Sequence, residues 1–344
     1  MRTTSISSFD YNLPNSLIAS SPLDKRADSR MLHYNLKGKT YNDYKFSELL
    51  ELLSAGDLLI MNNTKVIPAR IYMQKETGGN IEILFNKKIN SKTIEVIFSS
   101  SRPPKPDSLL NIKKENLFKV ISLNGKYLVL EIIHDESFFS IFQNHGEMPL
   151  PKYIKRPVSD YDKEKYQTVY ASEEGSIAAP TAGLHFTTDM IRKLINKGVV
   201  IKYITLHISY NTFKPIVVEN YLDHDLGSEY IEIDESVFKC ISDAKMSNSR
   251  IIAVGTTVAR TLEFCYANNI KKSFYGYINL FIYPGFKFQS INCLITNFHL
   301  PMSSLLLLVC AFADKEKILN VYAHAIKKKY RFYSYGDSMF LENK

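Results

Sequence analysis

Five short stretches of the 344-residue chain hold the residue types that reactions need. Residues 175–187 read GSIAAPTAGLHFT: two glycines, a proline, three hydroxyls and one imidazole, His185, with no charge. A core segment avoids Pro and Gly, and a solvated loop avoids Ile, Leu and Phe, so this is a small apolar bend that displays polar groups. Residues 253–263, AVGTTVARTLE, end a strand at Gly255 and open a helix at Thr256 and Thr257. Backbone N–H groups and a hydroxyl at a helix start suit an anion; an ordinary threonine N-cap explains the same letters. Arg260 lies one turn on, at the surface or pointing into a site. Residues 294–304, LITNFHLPMSS, run a strand into Asn297, His299 and Pro301. Ligands of α/β folds lie beyond the carboxyl ends of strands, although Asn and His also close loops by bonding their backbone. In HDLGSEYIEI, 224–233, Ser228 and Glu229 begin a strand. That carboxylate suits a general base or a hydroxyl ligand, and a solvated strand end is the plainer reading. The fifth stretch, KKKYRFYSYGDSMFL at 327–341, sets Lys327, Lys328, Lys329 and Arg331 beside Tyr330, Phe332, Tyr333 and Tyr335. Cations beside aromatics hold phosphates and stack bases. KYIKRP, 152–157, is a second such cluster.

The motifs of nucleotide cofactors and common hydrolases are missing: there is no G-x-G-x-x-G after a strand, Walker loop, H-E-x-x-H or G-x-S-x-G. The eight histidines show no metal-ligand spacing. Cys240, Cys265, Cys293 and Cys310 form no C-x-x-C pair and sit among apolar residues, which reads as buried reduced thiols. The formal charge of +8 permits a polyanionic partner without requiring one. The N-terminus lacks a signal-peptide core, and the longest apolar run, Leu305 to Ala313, is far short of the roughly 20 residues of a membrane span. A soluble cytoplasmic protein is expected.

The elements that must position these residues follow from periodicity. FSELLELLS, 46–54, has helical spacing, and GDLLIM reads as a buried strand. From about 62 to 134 the runs ARIYM, NIEILF, TIEVIF, LFKVISL and YLVLEII alternate with turn residues, the signature of an antiparallel sheet or small barrel. SSSRPPKPDS, 99–108, is a Pro-rich loop within it. Beyond 150, strands VVIKYITLHI, RIIAVG, NLFIY and CLITNF alternate with helices over TTDMIRKLINKG, DESVFKCISDAK, TTVARTLEFCYAN, SSLLLLVCAFA and KEKILNVYAHAIKKK. That alternation implies a largely parallel sheet or barrel with helical crossovers. The expected organisation is an α/β domain over 1–61 and 150–344, interrupted by an all-β domain over 62–149.

Taken in order, the blocks resemble a single family. FDYNLPNSLIASSPLDKRADSRML, GDLLIMNNTKVIPARI, MPLPKYIKRP, YQTVYASEEGSIAAPTAGLHFT, TLHISYNTFKPI, AVGTTVARTLE, LFIYPGFKF, LITNFHLPMSSLLLLVCAFA and YRFYSYGDSMFL are similar to the S-adenosylmethionine:tRNA ribosyltransferase-isomerases of queuosine biosynthesis. The resemblance spans nearly the whole chain and is weakest across 87–145. It implies an α/β-barrel-like catalytic domain with an inserted β-barrel. It also implies an enzyme that uses S-adenosylmethionine as a ribosyl donor. The acceptor is 7-aminomethyl-7-deazaguanine at the wobble position of a tRNA anticodon stem-loop. The products are epoxyqueuosine in tRNA, adenine and methionine. No cofactor is expected, because adenosylmethionine is a consumed substrate; a monomer is expected.

Such a reaction needs a base for a proton beside the sulfonium, help for the departing adenine, and a neutral attacking amine. The resemblance implies His185 for acid/base work, then Glu229 as base or hydroxyl ligand, then His299 and Asp337. It implies a donor pocket of Pro180, Thr181, Ala182 and Gly183 with Gly255, Thr256 and Thr257. Ser228 and Asn297 join the substrate contacts, and Arg260 and Arg331 would hold the donor's carboxylate or a tRNA phosphate. The chain departs from the family's pattern in three places. Gly227-Ser228-Glu229 stands where His-Ser-Glu is usual, Ser209 and Asn211 replace two glycines, and Met302 replaces a basic residue. These departures motivate a second reading, a non-catalytic tRNA-binding relative that has lost turnover. An ordinary methyltransferase fits poorly, since a Gly-rich loop after a first strand is missing.

Overall fold

The computed structural model describes residues 4–151, 153–209 and 215–343. The chain divides into two units. The larger comprises 1–64, 165–173 and 179–344, and the smaller 65–164 and 174–178.

The strands in chain order are β1 (Arg30–Asn35), β2 (Thr40–Lys45), β3 (Leu58–Asn62), β4 (Thr64–Val66), β5 (Arg70–Lys75) and β6 (Asn80–Lys88). Next come β7 (Thr93–Ser99), β8 (Leu109–Ile112), β9 (Glu115–Asn124), β10 (Tyr127–Ile132), β11 (Glu173–Ser176) and β12 (Val200–His207). The last are β13 (Glu229–Ile233), β14 (Ile251–Val254), β15 (Phe274–Ile278), β16 (Cys293–Asn297) and β17 (Ser338–Glu342). The helices are α1 (Leu49–Leu52), α2 (Phe138–His145), α3 (Asp160–Lys165), α4 (Thr188–Asn196), α5 (Glu235–Met246), α6 (Thr256–Ala267), α7 (Ser304–Ala313) and α8 (Lys315–Lys327).

In the larger unit, LLIMN, IIAV and CLITN are buried at every residue, as strands covered on both faces must be. They form the centre of a nine-stranded sheet ordered β15-β13-β12-β3-β14-β16-β17-β1-β2. Neighbours β12, β3, β14 and β16 are parallel, as are β17 and β1; the junction β16–β17 and the outer pairs are antiparallel. The barrel-like domain is therefore a mixed sheet, and its edges β15 and β2 do not pair with each other. On one face Met31, Phe46, Leu59, Phe186, Ile252 and Phe340 share a core with the apolar sides of α1 and α4. Each such side chain contributes about 1.5–3 kcal/mol by leaving water.

The strand expected at NLFIY lies immediately before it, at Phe274–Ile278. Its partner β13 begins at Glu229, which pairs with Ile278, so the ladder has nothing to bond beyond that residue. FSELLELLS forms only a short 3-10 turn and the single-turn α1.

The smaller unit holds a closed six-stranded antiparallel barrel, β10-β7-β6-β5-β8-β9. Alternating burial along β5, β7 and β10 matches the period of two. Strand β8 supplies a sixth stave just after the Pro-rich loop. Helix α2 is capped by Ser137, and its Phe138 stacks on Phe85 at 5.4 Å. The smaller unit thus extends past residue 149.

At the amino end of β14, Arg250 joins three strands. Its guanidinium bonds Asp57 Oδ1 at 3.0 Å and Glu342 Oε1 at 2.9 Å, and it donates to the Leu52 carbonyl at 2.8 Å. Removing one partner of a nearly buried ion pair leaves the others uncompensated. Arg250→Ala is expected to lower unfolding free energy by about 3 kcal/mol, measured in urea; a loss within about 0.5 kcal/mol would show the clamp to be dispensable.

Candidate functional site

Strand register gathers the chemistry-bearing residues at one end of the large sheet. Asn297 pairs with Ser338, and Met31 pairs with Ser338 from the other side. The carboxyl end of β16 therefore meets the amino ends of β17 and β1. His207, at the carboxyl end of β12, pairs with Tyr230 beside Glu229. Gly255 follows β14 and donates its N–H to the Ile295 carbonyl at 2.7 Å. His185, Glu229, Gly255, Asn297, Arg331 and Asp337 thus share a rim with Asn62, the end of β3.

The GSIAAPTAGLHFT bend contains a 3-10 turn, Thr181–His185, with Pro180 as its cap and Gly183 donating to the Pro180 carbonyl at 2.8 Å. A Cβ on Gly255 would lie 3.8 Å from the Ala182 side chain, so turn and strand end are in near contact. His185 is buried and stacks on Phe46 at 4.9 Å. Its Nδ1 is 2.8 Å from Ser29 Oγ, which itself donates to the Arg26 carbonyl at 3.1 Å. Ser29 has one proton, so Nδ1 carries the hydrogen and Nε2 the lone pair. Nε2 faces the Asn297 amide nitrogen at 3.3 Å, and that nitrogen also donates to the Tyr333 carbonyl at 3.1 Å. Burial, then the neighbouring Arg26, holds the imidazole's pKa down at about 3.

Glu229 and Arg260 face each other in an ion pair, both almost fully buried. Ser209 N–H donates to Glu229 Oε1 at 3.2 Å. Burial pulls the guanidinium's pKa down to about 10, still well above neutrality. The threonine-cap reading of AVGTTVARTLE is corrected: the cap is Gly255, at φ +98°, a conformation that only glycine adopts without strain. Glycine has no side chain with which to bond the helix, so the first-turn N–H groups at Thr256 and Thr257 gain no side-chain cap.

The other expected site residues are more fully tied. Asp337 accepts the N–H groups of Arg30 and Arg331, each at 2.8 Å, and closes the 331–337 turn. Burial raises its pKa against those bonds. Arg331 donates to the Ser21 carbonyl, and its Nη1 is buried with no partner. His299 Nε2 meets Thr296 Oγ1 at 2.8 Å, its N–H bonds Tyr322 Oη, and its carbonyl accepts Tyr11 Oη. Ser228 is exposed, after Gly227 at φ +73°. Of the LHISYNTF departure, Ser209 is described, and Tyr210–Phe213, including Asn211, lie outside the described residues, as does Lys152 of KYIKRP.

Of the aromatics of KKKYRFYSYGDSMFL, Tyr330 and Phe332 are core residues rather than a stacking platform, and Asp43 accepts Tyr330 Oη at 2.6 Å, while Tyr335, also buried, lines a cavity. In KYIKRP, Arg156 is spent on a bidentate pair with buried Asp162, at 2.6 and 2.7 Å. Among the described residues, no three His, Cys, Asp or Glu side chains gather as a metal site, and no helix is long and apolar enough to cross a membrane.

Two cavities open at the rim. One is lined by Pro22, Arg26, Ser29, Lys165, His185 and Tyr335, among others. The other is lined by Thr256, Thr257, Arg260, Ser304 and apolar neighbours. RADSRML and PMSS carry no local signal of a site, and only the fold brings Arg26 and Ser29 to His185 and Ser304 to α6.

Comparison with known proteins agrees in scope. The family model described as queuosine biosynthesis protein matches residues 6–341. An S-adenosylmethionine:tRNA ribosyltransferase-isomerase of Francisella tularensis subsp. novicida (strain U112) is 44% identical over 333 residues, covering 97% of this chain and 98% of that protein. Its counterpart in subsp. tularensis (strain WY96-3418) is also 44% identical over the same shares. The crystal structure of an S-adenosylmethionine tRNA ribosyltransferase from Thermotoga maritima superposes with a TM-score of 0.57 at 30% identity, over 97% of this chain and 99% of that one.

His185 and His299 are both held at about 3 by burial, against an ordinary 6.5. The unfolded chain takes up these protons below pH 6.5 and the folded chain does so only near 3. Stability is therefore full above pH 6.5 and falls as pH drops through that window, by at most about 2 kcal/mol per histidine at pH 5. Urea midpoints should fall from pH 7 to pH 5, with both imidazoles neutral by NMR; a His185 titration near 6.5 would contradict the buried, neutral ring.

Proposed function

The chain belongs to the queuosine biosynthesis protein family and is an enzyme of it, and on that premise we propose that it transfers and isomerises the ribosyl part of S-adenosylmethionine onto tRNA. The acceptor in this reading is 7-aminomethyl-7-deazaguanine at the wobble position of the anticodon stem-loop. The products are epoxyqueuosine in tRNA, adenine and methionine, formed in the cytoplasm by a monomer. The observation that carries it is the convergence of separate sequence blocks on one rim, where His185, Asn297, Gly255 and the Glu229–Arg260 pair come together.

The donor lies against the Ala182–Gly255 floor, where small residues leave room for a nucleoside. Deprotonation beside the sulfonium is assigned to His185 Nε2, whose basicity must rise from that of the buried, neutral ring when the polar substrate replaces Asn297 as its partner. Its lone pair is fixed by the Nδ1–Ser29 bond, and its 3.3 Å contact with Asn297 is the longest of that network and the easiest to exchange for substrate. Asn297, Pro180, Thr181 and Gly183 shape that pocket. Glu229 is engaged by Arg260, which assigns it to binding rather than to proton transfer. The cavity of Pro22, Tyr335, Arg26 and Lys165 offers an apolar slot with cations, which suits a purine-like base carried on a phosphate chain. His299 and Asp337 act by holding the loops that carry Asn297 and Arg331.

Purified protein given adenosylmethionine and tRNA bearing the aminomethyl base should release adenine and methionine. His185→Gln should lower kcat by about a hundredfold or more with donor KM nearly unchanged. The wild-type acid limb should lack a pKa near 6.5. Intact tRNA binding with no adenine release would instead favour the non-catalytic relative.

A further inference from the structure

We infer that the cavity at the start of α6 is the seat of the donor's α-carboxylate, with Ser304 as a contact that the sequence blocks do not reveal. The inference rests on the donor use proposed above.

Three groups point to an anion there. Arg260 lines the cavity, is nine-tenths buried, and its Nε has no hydrogen-bond partner. Ser304 lines it from α7, is 5% exposed, and its Oγ is likewise without a partner. Buried donors are rarely left unmade, because each costs desolvation without return. The third group is the first turn of the twelve-residue α6, which presents Thr256 and Thr257 to the same cavity and has no side-chain cap. Helix N-termini of this kind attract negative charge through free N–H groups and the helix dipole.

The surroundings choose a carboxylate over a tRNA phosphate. Leu226, Phe281 and Leu308 form the apolar part of the lining, which suits a short aliphatic stem and not a solvated phosphodiester chain. Glu229, on the guanidinium, repels a polyanion yet offers the ammonium of an amino acid its counter-charge. An anionic head, a cationic neighbour and an aliphatic stem describe the methionyl end of the donor. Arg260 would then serve two carboxylates, one from the protein and one from the ligand, as its five N–H groups permit.

The test compares adenosylmethionine with decarboxylated adenosylmethionine by calorimetry, at fixed ionic strength and with unmodified tRNA present so that nothing turns over. The wild type should bind the decarboxylated compound about thirtyfold more weakly. Ser304→Ala should weaken only the carboxylate-bearing compound, by about three- to tenfold; its Oγ bonds nothing, so the variant should fold. Arg260→Gln should erase most of the discrimination, and if that variant fails to fold Ser304→Ala decides. Equal binding of the two compounds, or equal weakening of both by Ser304→Ala, would overturn the carboxylate seat while leaving adenine release to support the activity. Binding of neither compound would overturn both.

Discussion

Burying a charge is expensive unless its partner is buried with it, and the Glu229–Arg260 pair puts that constraint at the centre of the larger unit. Neither group could stay in its place alone; losing one partner of such a pair costs about 3–5 kcal/mol. Helix α6 packs across β12, β3 and β14, and this position lets a side chain following β14 reach the first residue of β13. The pair therefore spans two intervening strands. It fixes where α6 starts, and the cavity at that start inherits its geometry.

The same economy governs His185. Its ring is out of water, so it stays neutral, and the hydroxyl of Ser29 determines which nitrogen bears the proton. A neutral imidazole of fixed tautomer is a directional acceptor rather than a pH switch. Asp337 shows the opposite use of burial: both oxygens are spent on backbone N–H groups, and the reward is a closed turn that aims Arg331.

Much of this was legible in advance where periodicity is strong. CLITN and IIAV read as buried strands because both their faces are covered, and the barrel read through alternation along YLVLEI and IEVIF. Strands β1, β2 and β17 were not read, since RMLHYN and TYNDYK interleave polar and apolar residues and gain their pairing only from distant partners. The aromatic–basic tail misled in the other direction. Composition cannot distinguish a ring that stacks on a base from one packed in a core, and Tyr330 and Phe332 are the latter. Of the site, His185, Glu229 and Asn297 were visible as types in context. Ser29 and Ser304 were not, because a lone serine acquires meaning only from what the chain folds against it.

The Arg250 clamp lies at the amino ends of β14 and β3 and the carboxyl end of β17, opposite the rim of loops. The sheet is thus moored at one end and worked at the other. Departures such as Ser209 and Gly227 fall wholly on the working end, where a lineage can rewrite loops without loosening the frame. Such a division lets substitutions reshape the pocket's edges without touching the residues that hold the scaffold.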